Sequence, residues 1–249
     1  MLIFSTYNIL LWLNDSPKTK EIIKEIEDTI EINEYESENA EIIESDEHPD
    51  TPYWNFIKMN LIDVDFKMLK ETNKDTVSWL YVGGTNINYP VVKTNDNDYY
   101  LNHSFDKSKN NAGWIFMDYR NDYKQYEKNT IIYGHNRKDK TMFGTLKNIL
   151  ESKWYNDINN RVIKMSSENY NTLWQIFSVY KIETTNDYIQ TVFKNDKDFE
   201  EFINLIKGRS FANFNTKVTA NDKILTLSTC HGNTKKLVVH AKLIKQEKK

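Results

Sequence analysis

One cysteine serves the whole 249-residue chain, and it sits in the stretch Thr226 to Lys236, "TLSTCHGNTKK". A lone thiol has two readings, either a small hydrophobe filling a core or a nucleophile displayed at a strand end. The second needs a thiolate, an imidazole to share its proton and a donor for the oxyanion that forms when a carbonyl is attacked. His135 is the candidate imidazole: in "NTIIYGHN" it follows an apolar strand-like run and a glycine, where a side chain can emerge from a sheet into a cleft. Structural histidines also occupy strand ends, so on these residues alone both readings stand. His103, in "YYLNHSF", reads as a structural hydrogen-bonder, and His240 lies within the last strand-like run, facing either the core or solvent.

An unperturbed thiol has a pKa of about 8.5 and an imidazole about 6.5. Near neutral pH only a minor fraction is therefore thiolate and imidazolium together, unless the site stabilises that pair. In an acyl transfer the imidazolium protonates the leaving amine, and the resulting imidazole deprotonates the incoming one.

Other chemistries find less support. The five histidines and the cysteine show no C-x-x-C, no H-E-x-x-H and no paired ligand spacing, so no metal site is expected. There is no phosphate-cradling G-x-x-x-x-G-K-[ST] loop and no G-x-G-x-x-G fingerprint, and Gly83-Gly84 reads as a turn. The net charge of −3 argues against a nucleic-acid partner, which calls for a strongly basic face.

The elements that must position these residues are mainly β. "VSWLYVGG", "NYPVVK", "WIFMD", "NTIIYGH", "RVIKM", "LWQIFSVYKIE", "KILTLSTC" and "LVVHAKLI" are short β-segments without alternating helices. That pattern predicts an antiparallel barrel or sandwich. Two helical insertions interrupt them, "MFGTLKNILES" and "NDKDFEEFINLIKG", the second ending at Gly208.

Upstream, Ser16-Pro17 reads as an N-cap and first-turn proline opening a helix, with Ile22, Ile23, Ile26 and Ile30 on its apolar face. Residues 33–52, acidic and poor in large apolar groups, read as a solvated linker or loosely packed arm. "WNFIKMNLIDVDFKMLKETN" reads as a helix or helix pair. The uncharged opening run, "MLIFSTYNILLWL", is too short to span a bilayer. It reads either as a docked N-terminal element or as the downstream half of a membrane anchor.

Taken together, these segments resemble the sortases. "TLSTC" is similar to the family's T-L-x-T-C signature, and "NTIIYGHN" to its histidine segment, in the order histidine then cysteine. "LYVGGTNINYPVV", "YYLNH", "AGWIFMD" and the insertion containing "FEEFINLIK" resemble class B sortases, over roughly residues 16 to 245. The resemblance implies a closed eight-stranded sortase-type β-barrel with N-terminal helices and a helix inserted before the cysteine strand. It divides the chain into an apolar N-terminus (1–15), N-terminal helices and acidic arm (16–70) and a catalytic barrel (71–249).

By resemblance, Cys230 is the nucleophile and His135 the general acid/base. The implied reaction cuts an N-P-x-T-x-like sorting motif after threonine, holds the acyl group as a thioester and passes it to an amine. The implied partners are surface proteins bearing a C-terminal sorting motif, a peptidoglycan or pilin amine, and a membrane reached through the N-terminal anchor, on the extracellular face of a Gram-positive cell. No cofactor is implied. Sortases also carry an arginine early in the strand after the cysteine, and here Lys236 falls at that position after a short turn. A lysine brings charge without a planar fork. Lys236 takes the role, or Arg120 or Arg137 reaches the site, or catalysis is weak. The remaining alternatives are a hydrolytic cysteine protease and a non-catalytic sortase-fold module that binds sorting peptides.

Overall fold

The computed structural model describes residues 2–43, 48–231 and 234–249, and for residues 2–14, 230 and 231 the backbone alone. In chain order its elements are α1 (Leu2–Thr29), β1 (Ile32–Tyr35), β2 (Glu41–Ile42), α2 (Tyr53–Phe56), β3 (Leu61–Val64), α3 (Phe66–Thr72), β4 (Thr76–Val82) and β5 (Asn88–Val92). There follow β6 (Phe116–Met117), β7 (Asn129–Tyr133), α4 (Ser152–Asn156), β8 (Val162–Ser167), β9 (Tyr170–Glu183), α5 (Asp196–Gly208), β10 (Ile224–His231) and β11 (Lys235–Lys248).

Eight strands close on themselves in the order β10-β7-β6-β5-β4-β8-β9-β11, with β11 pairing back onto β10 and β2 added outside β11. Closure leaves the barrel's own strands with no free edge. The interior is filled by aromatic and branched side chains, among them the fully buried Trp79, Trp114 and Trp174. The expectation of a purely antiparallel sheet is corrected at two seams: β5 runs parallel to β6, and β7 parallel to β10. β5 and β6 are joined by the long connection 93–115, and β8 and β9 intervene between β7 and β10, neither of which the strand pattern alone reveals.

α5 lies in the connection from β9 to β10, as predicted. Phe199, Phe202, Ile203 and Ile206 recur on one face and are buried against Phe177, Tyr180, Ile224 and Val238 of the barrel wall. Each such side chain contributes about 1.5–3 kcal/mol on burial. Asn195 caps the helix by accepting the Asp198 amide at 3.0 Å.

Three local expectations are corrected upstream. α1 does not begin at Ser16-Pro17; it runs continuously from Leu2 with Pro17 inside it. The Ser16 hydroxyl is bonded to Asp139 and Arg137 instead of capping its own helix. The acidic arm is not a loose linker in its described part. β1 pairs with β3 and β2 with β11, while Glu34 meets Lys164 and the Tyr35 hydroxyl meets Glu247. Finally, a strand, β3, separates α2 from α3 where a helix or helix pair was predicted. A four-residue run such as "LIDV" carries too little periodicity to distinguish the two. No helix among the described residues is long and apolar enough to cross a membrane.

Candidate active site

The parallel seam between β7 and β10 organises the site. Asn129 is paired with Ile224, Ile131 with Thr226 and Tyr133 with Ser228. The seam continues as the Gly134 amide donates to the Ser228 carbonyl at 3.4 Å. Two residues beyond Tyr133 comes His135, and two beyond Ser228 comes Cys230. The register therefore brings the backbones of the predicted histidine and cysteine to the same end of one seam, from strands far apart in sequence. Lys236, near the start of β11, is the direct antiparallel partner of Cys230. All three predicted positions thus converge. The Cys230 thiol, and the turn at Gly232 and Asn233 whose shortness the sequence flagged, lie outside the described residues.

His135 is half-buried, and its ring is tightly seated. Nε2 lies 2.8 Å from the Leu101 carbonyl. A carbonyl can only accept, so Nε2 carries the proton in that bond, leaving Nδ1 as the nitrogen that can exchange one. Gly113 lies against the ring at φ +60°, and a Cβ there would stand 2.9 Å from His135 Cδ2 and 2.5 Å from the Tyr100 carbonyl oxygen. Only glycine meets both demands without strain. The residue after the strand is likewise a glycine for a reason, since a Cβ on Gly134 would stand 2.9 Å from the Phe143 ring. The Phe143 amide donates to the His135 carbonyl at 3.0 Å, and Asn136 bridges to Met142, so the loop folds back beneath the imidazole.

Below the seam's end is a polar floor. The Tyr133 hydroxyl donates to Asp118 Oδ2 at 2.8 Å, and Arg120 grips both oxygens of that buried carboxylate, Nε at 2.8 Å and Nη2 at 2.7 Å. Burial alone raises the Asp118 pKa, but the Arg120 and Tyr133 hydrogen bonds outweigh it and hold the group below the usual carboxylate value. Arg120 Nη2 also donates to the Ile189 carbonyl at 2.9 Å. The Tyr188 hydroxyl lies 3.0 Å from Ser228 Oγ, so the β9–β10 connection packs against the same end of β10. Arg137 is committed elsewhere, with Nε and Nη2 on Asp139 and Nη2 also on Ser16. The two arginines considered as substitutes for Lys236 thus have these donors engaged with Asp118 and Asp139.

His103 and His240 take structural places. His103 stacks on Tyr99 with ring centroids 4.0 Å apart, its Nδ1 2.7 Å from the Tyr99 carbonyl. His240 is fully buried between the Tyr180 hydroxyl (2.9 Å from Nε2) and Thr226 Oγ1 (2.8 Å from Nδ1). Burial, assisted by the positive charge of Arg209, pushes its pKa down to about 3, so it is neutral in the folded protein. Thr226 passes its proton to Asn129 Oδ1 at 2.6 Å, and Asn129 holds the Gln190 carbonyl at 2.8 Å. This buried chain of bonds ties β7, β10, β11 and the β9–β10 connection together, four to six residues down the strands from His135 and Cys230.

Sequence reasoning singled out neither Leu101 nor Gly113. The seat of His135 is a backbone carbonyl and a missing side chain, and neither has a spacing signature. A glycine before "WIF" was a visible signal, but its demand comes from contact with a ring more than twenty positions on.

Comparison with known proteins places this geometry in a family context. The model of the sortase domain matches residues 80–244. The chain is 40% identical to Sortase B of Staphylococcus aureus over 184 residues, 72% of this chain and 75% of that protein. It is 41% identical to Sortase B of Listeria monocytogenes over 166 residues, 67% of each chain. The structure of the Staphylococcus aureus sortase B–substrate complex superimposes with a TM-score of 0.68 at 40% identity, covering 72% of this chain and 84% of that one.

Proposed function

Because the chain belongs to the sortase family and is a cysteine transpeptidase of its class B type, we propose that Cys230 is its nucleophile, His135 its general acid/base and Lys236 its oxyanion-side cation. The observation that carries the assignment is the β7–β10 register, which leads the backbones of His135 and Cys230 to one end of one seam, with Lys236 directly across from Cys230.

The substrate is a peptide with an N-P-x-T-x-like sorting motif at the C-terminus of a surface protein. The Cys230 thiolate attacks the threonine carbonyl carbon, and the Lys236 ammonium lies toward the developing oxyanion. As the C–N bond breaks, the His135 imidazolium gives its Nδ1 proton to the leaving amine, and a thioester remains. An amine of peptidoglycan or of a pilin-like protein then attacks the thioester. His135 takes the proton from that amine, a new amide forms and the thiolate leaves. The Leu101 carbonyl, by holding Nε2–H, keeps Nδ1 as the exchanging nitrogen through both half-reactions.

On this reading residues 71–249 are the catalytic barrel and 16–70 its support. Residues 1–15 are the remnant of an anchor to the outer face of the membrane, joined to the barrel where Asp15 meets Asn111. Incubation with an N-P-x-T peptide, with and without triglycine, followed by intact-mass spectrometry, tests the chemistry. Repeated turnover of the acyl part to the free acid, at a rate that triglycine does not change, would favour a hydrolase instead. Peptide binding without any adduct would favour a binding module.

A further inference from the structure

His135 is seated by two segments, 110–114 on one side of the ring and 135–144 beneath it, and both are fastened to one turn of α1. Asp139 is the hub of the lower segment. It accepts Arg137 Nη2 at 2.7 Å, Ser16 Oγ at 2.6 Å and Thr141 Oγ1 at 2.7 Å. Ser16 closes the triangle by accepting Arg137 Nη2 at 2.7 Å. The Arg137 and Asp139 side chains are only 10% and 4% exposed, so water does not compete for these bonds. They hold a loop in which Lys140 (φ 67°) and Met142 (φ 51°) occupy the left-handed region that L side chains disfavour.

The other segment is fastened one residue away. Asp15 Oδ2 accepts the Asn111 amide at 3.2 Å and its Nδ2 at 2.9 Å. The buried Asn110 donates to Thr19 Oγ1 at 3.1 Å and to the Asp15 carbonyl at 3.4 Å, and its own carbonyl accepts the Gly113 amide at 3.0 Å. Gly113 is the residue against the imidazole. Thr19 in turn bonds back to the Asp15 carbonyl at 2.8 Å, reinforcing the helix where Pro17 removes a backbone donor.

We propose that the Asp15–Thr19 turn of α1 is a positioning element for the acid/base histidine, with Ser16 and Arg137 its positioning residues. The inference rests on the reading of His135 as the group that moves protons. α1 acts through the two segments that fix the ring's plane and its Nε2–H···O=C Leu101 bond. Loosening the turn lets the loop relax from its left-handed residues and turns Nδ1 away from the seam's end, where Cys230 stands.

The test uses the full chain with Ser16→Ala and Arg137→Lys, and Lys20→Ala on the exposed side of the same helix as control. Steady-state transpeptidation from an N-P-x-T peptide to triglycine is measured beside thermal unfolding. The His135 tautomer is read by long-range 1H–15N correlation in 15N-histidine protein, assigned with His135→Gln. The expected result is a kcat lowered roughly tenfold at a KM within about twofold, since small misplacements of a catalytic group are costly. The Nε2–H tautomer should give way to a mixture, and Lys20→Ala should match the parent. An unchanged tautomer in Ser16→Ala and Arg137→Lys overturns the proposal, as does a loss of rate that only follows the loss of folded protein. The tautomer readout needs no turnover. A parent that fails to turn over thus refutes the transpeptidase reading, while the response of the ring still decides the role of α1.

Discussion

Gly113 faces the His135 ring across a space that admits no side chain: a Cβ on Gly113 would stand 2.9 Å from Cδ2 of the imidazole. The same glycine has φ +60° and hangs by its amide from Asn110. The orientation of the imidazole proposed as acid/base thus depends on the backbone conformation of a neighbouring loop.

Gly113→Ala is therefore expected to do two things. The left-handed backbone and the clash with the Tyr100 carbonyl should cost roughly 1–3 kcal/mol in stability, read by denaturant unfolding. The displaced ring should also lower kcat by about an order of magnitude or more in the fraction that remains folded. A variant with normal turnover per folded molecule would show that the ring's seat does not matter.

Lys236 stands directly across from Cys230 in the strand register, and its proposed role is to supply charge there. Lys236→Met is expected to lower kcat about 100-fold, the usual scale for loss of an oxyanion donor. Lys236→Arg should match or exceed the parent, because a planar fork reaches oxygen acceptors with two donors. Single-turnover acylation by rapid quench measures both. A Lys236→Met enzyme as fast as the parent would remove this residue from the site.

The strands were readable from the chain as apolar runs bounded by turn residues, their closure into a barrel only through the family resemblance, and α5 because Phe199, Phe202, Ile203 and Ile206 repeat with helical spacing. β1 and β2 were not readable. Their residues are exposed or half-exposed, and pairing with β3 and β11 decides their conformation more than propensity does. The same holds for the parallel β7–β10 seam, which is set by closure of the barrel. Within the candidate site, Cys230 and His135 stood out as residue types in a motif, and Lys236 as a departure from the arginine that the resemblance implies. The Leu101 carbonyl, Gly113 and the Ser16–Asp139–Arg137 triangle were not, since these contacts join segments far apart and have no local pattern.

His240 gives the fold a pH dependence of known sign. Its pKa is near 3 in the folded protein against an ordinary 6.5, so below pH 6.5 the unfolded chain binds a proton that the folded chain refuses. Its contribution to stability is constant above about pH 6.5 and is lost as the pH falls toward 3, by up to roughly 1.4 kcal/mol per unit. Urea unfolding of the parent between pH 7 and pH 5 should show this slope, and His240→Gln should flatten it. An equal slope in the two proteins would mean that other groups carry it.

The central claim is that a thioester forms on Cys230 and passes to an amine. Intact-mass spectrometry of the protein mixed with an N-P-x-T-containing peptide addresses it most directly. The expected result is an adduct equal in mass to the peptide's acyl part, absent from Cys230→Ala, and chased by triglycine into a peptide–glycine product. No adduct across several motif variants, with the Cys230 thiol still readily alkylated, would contradict it.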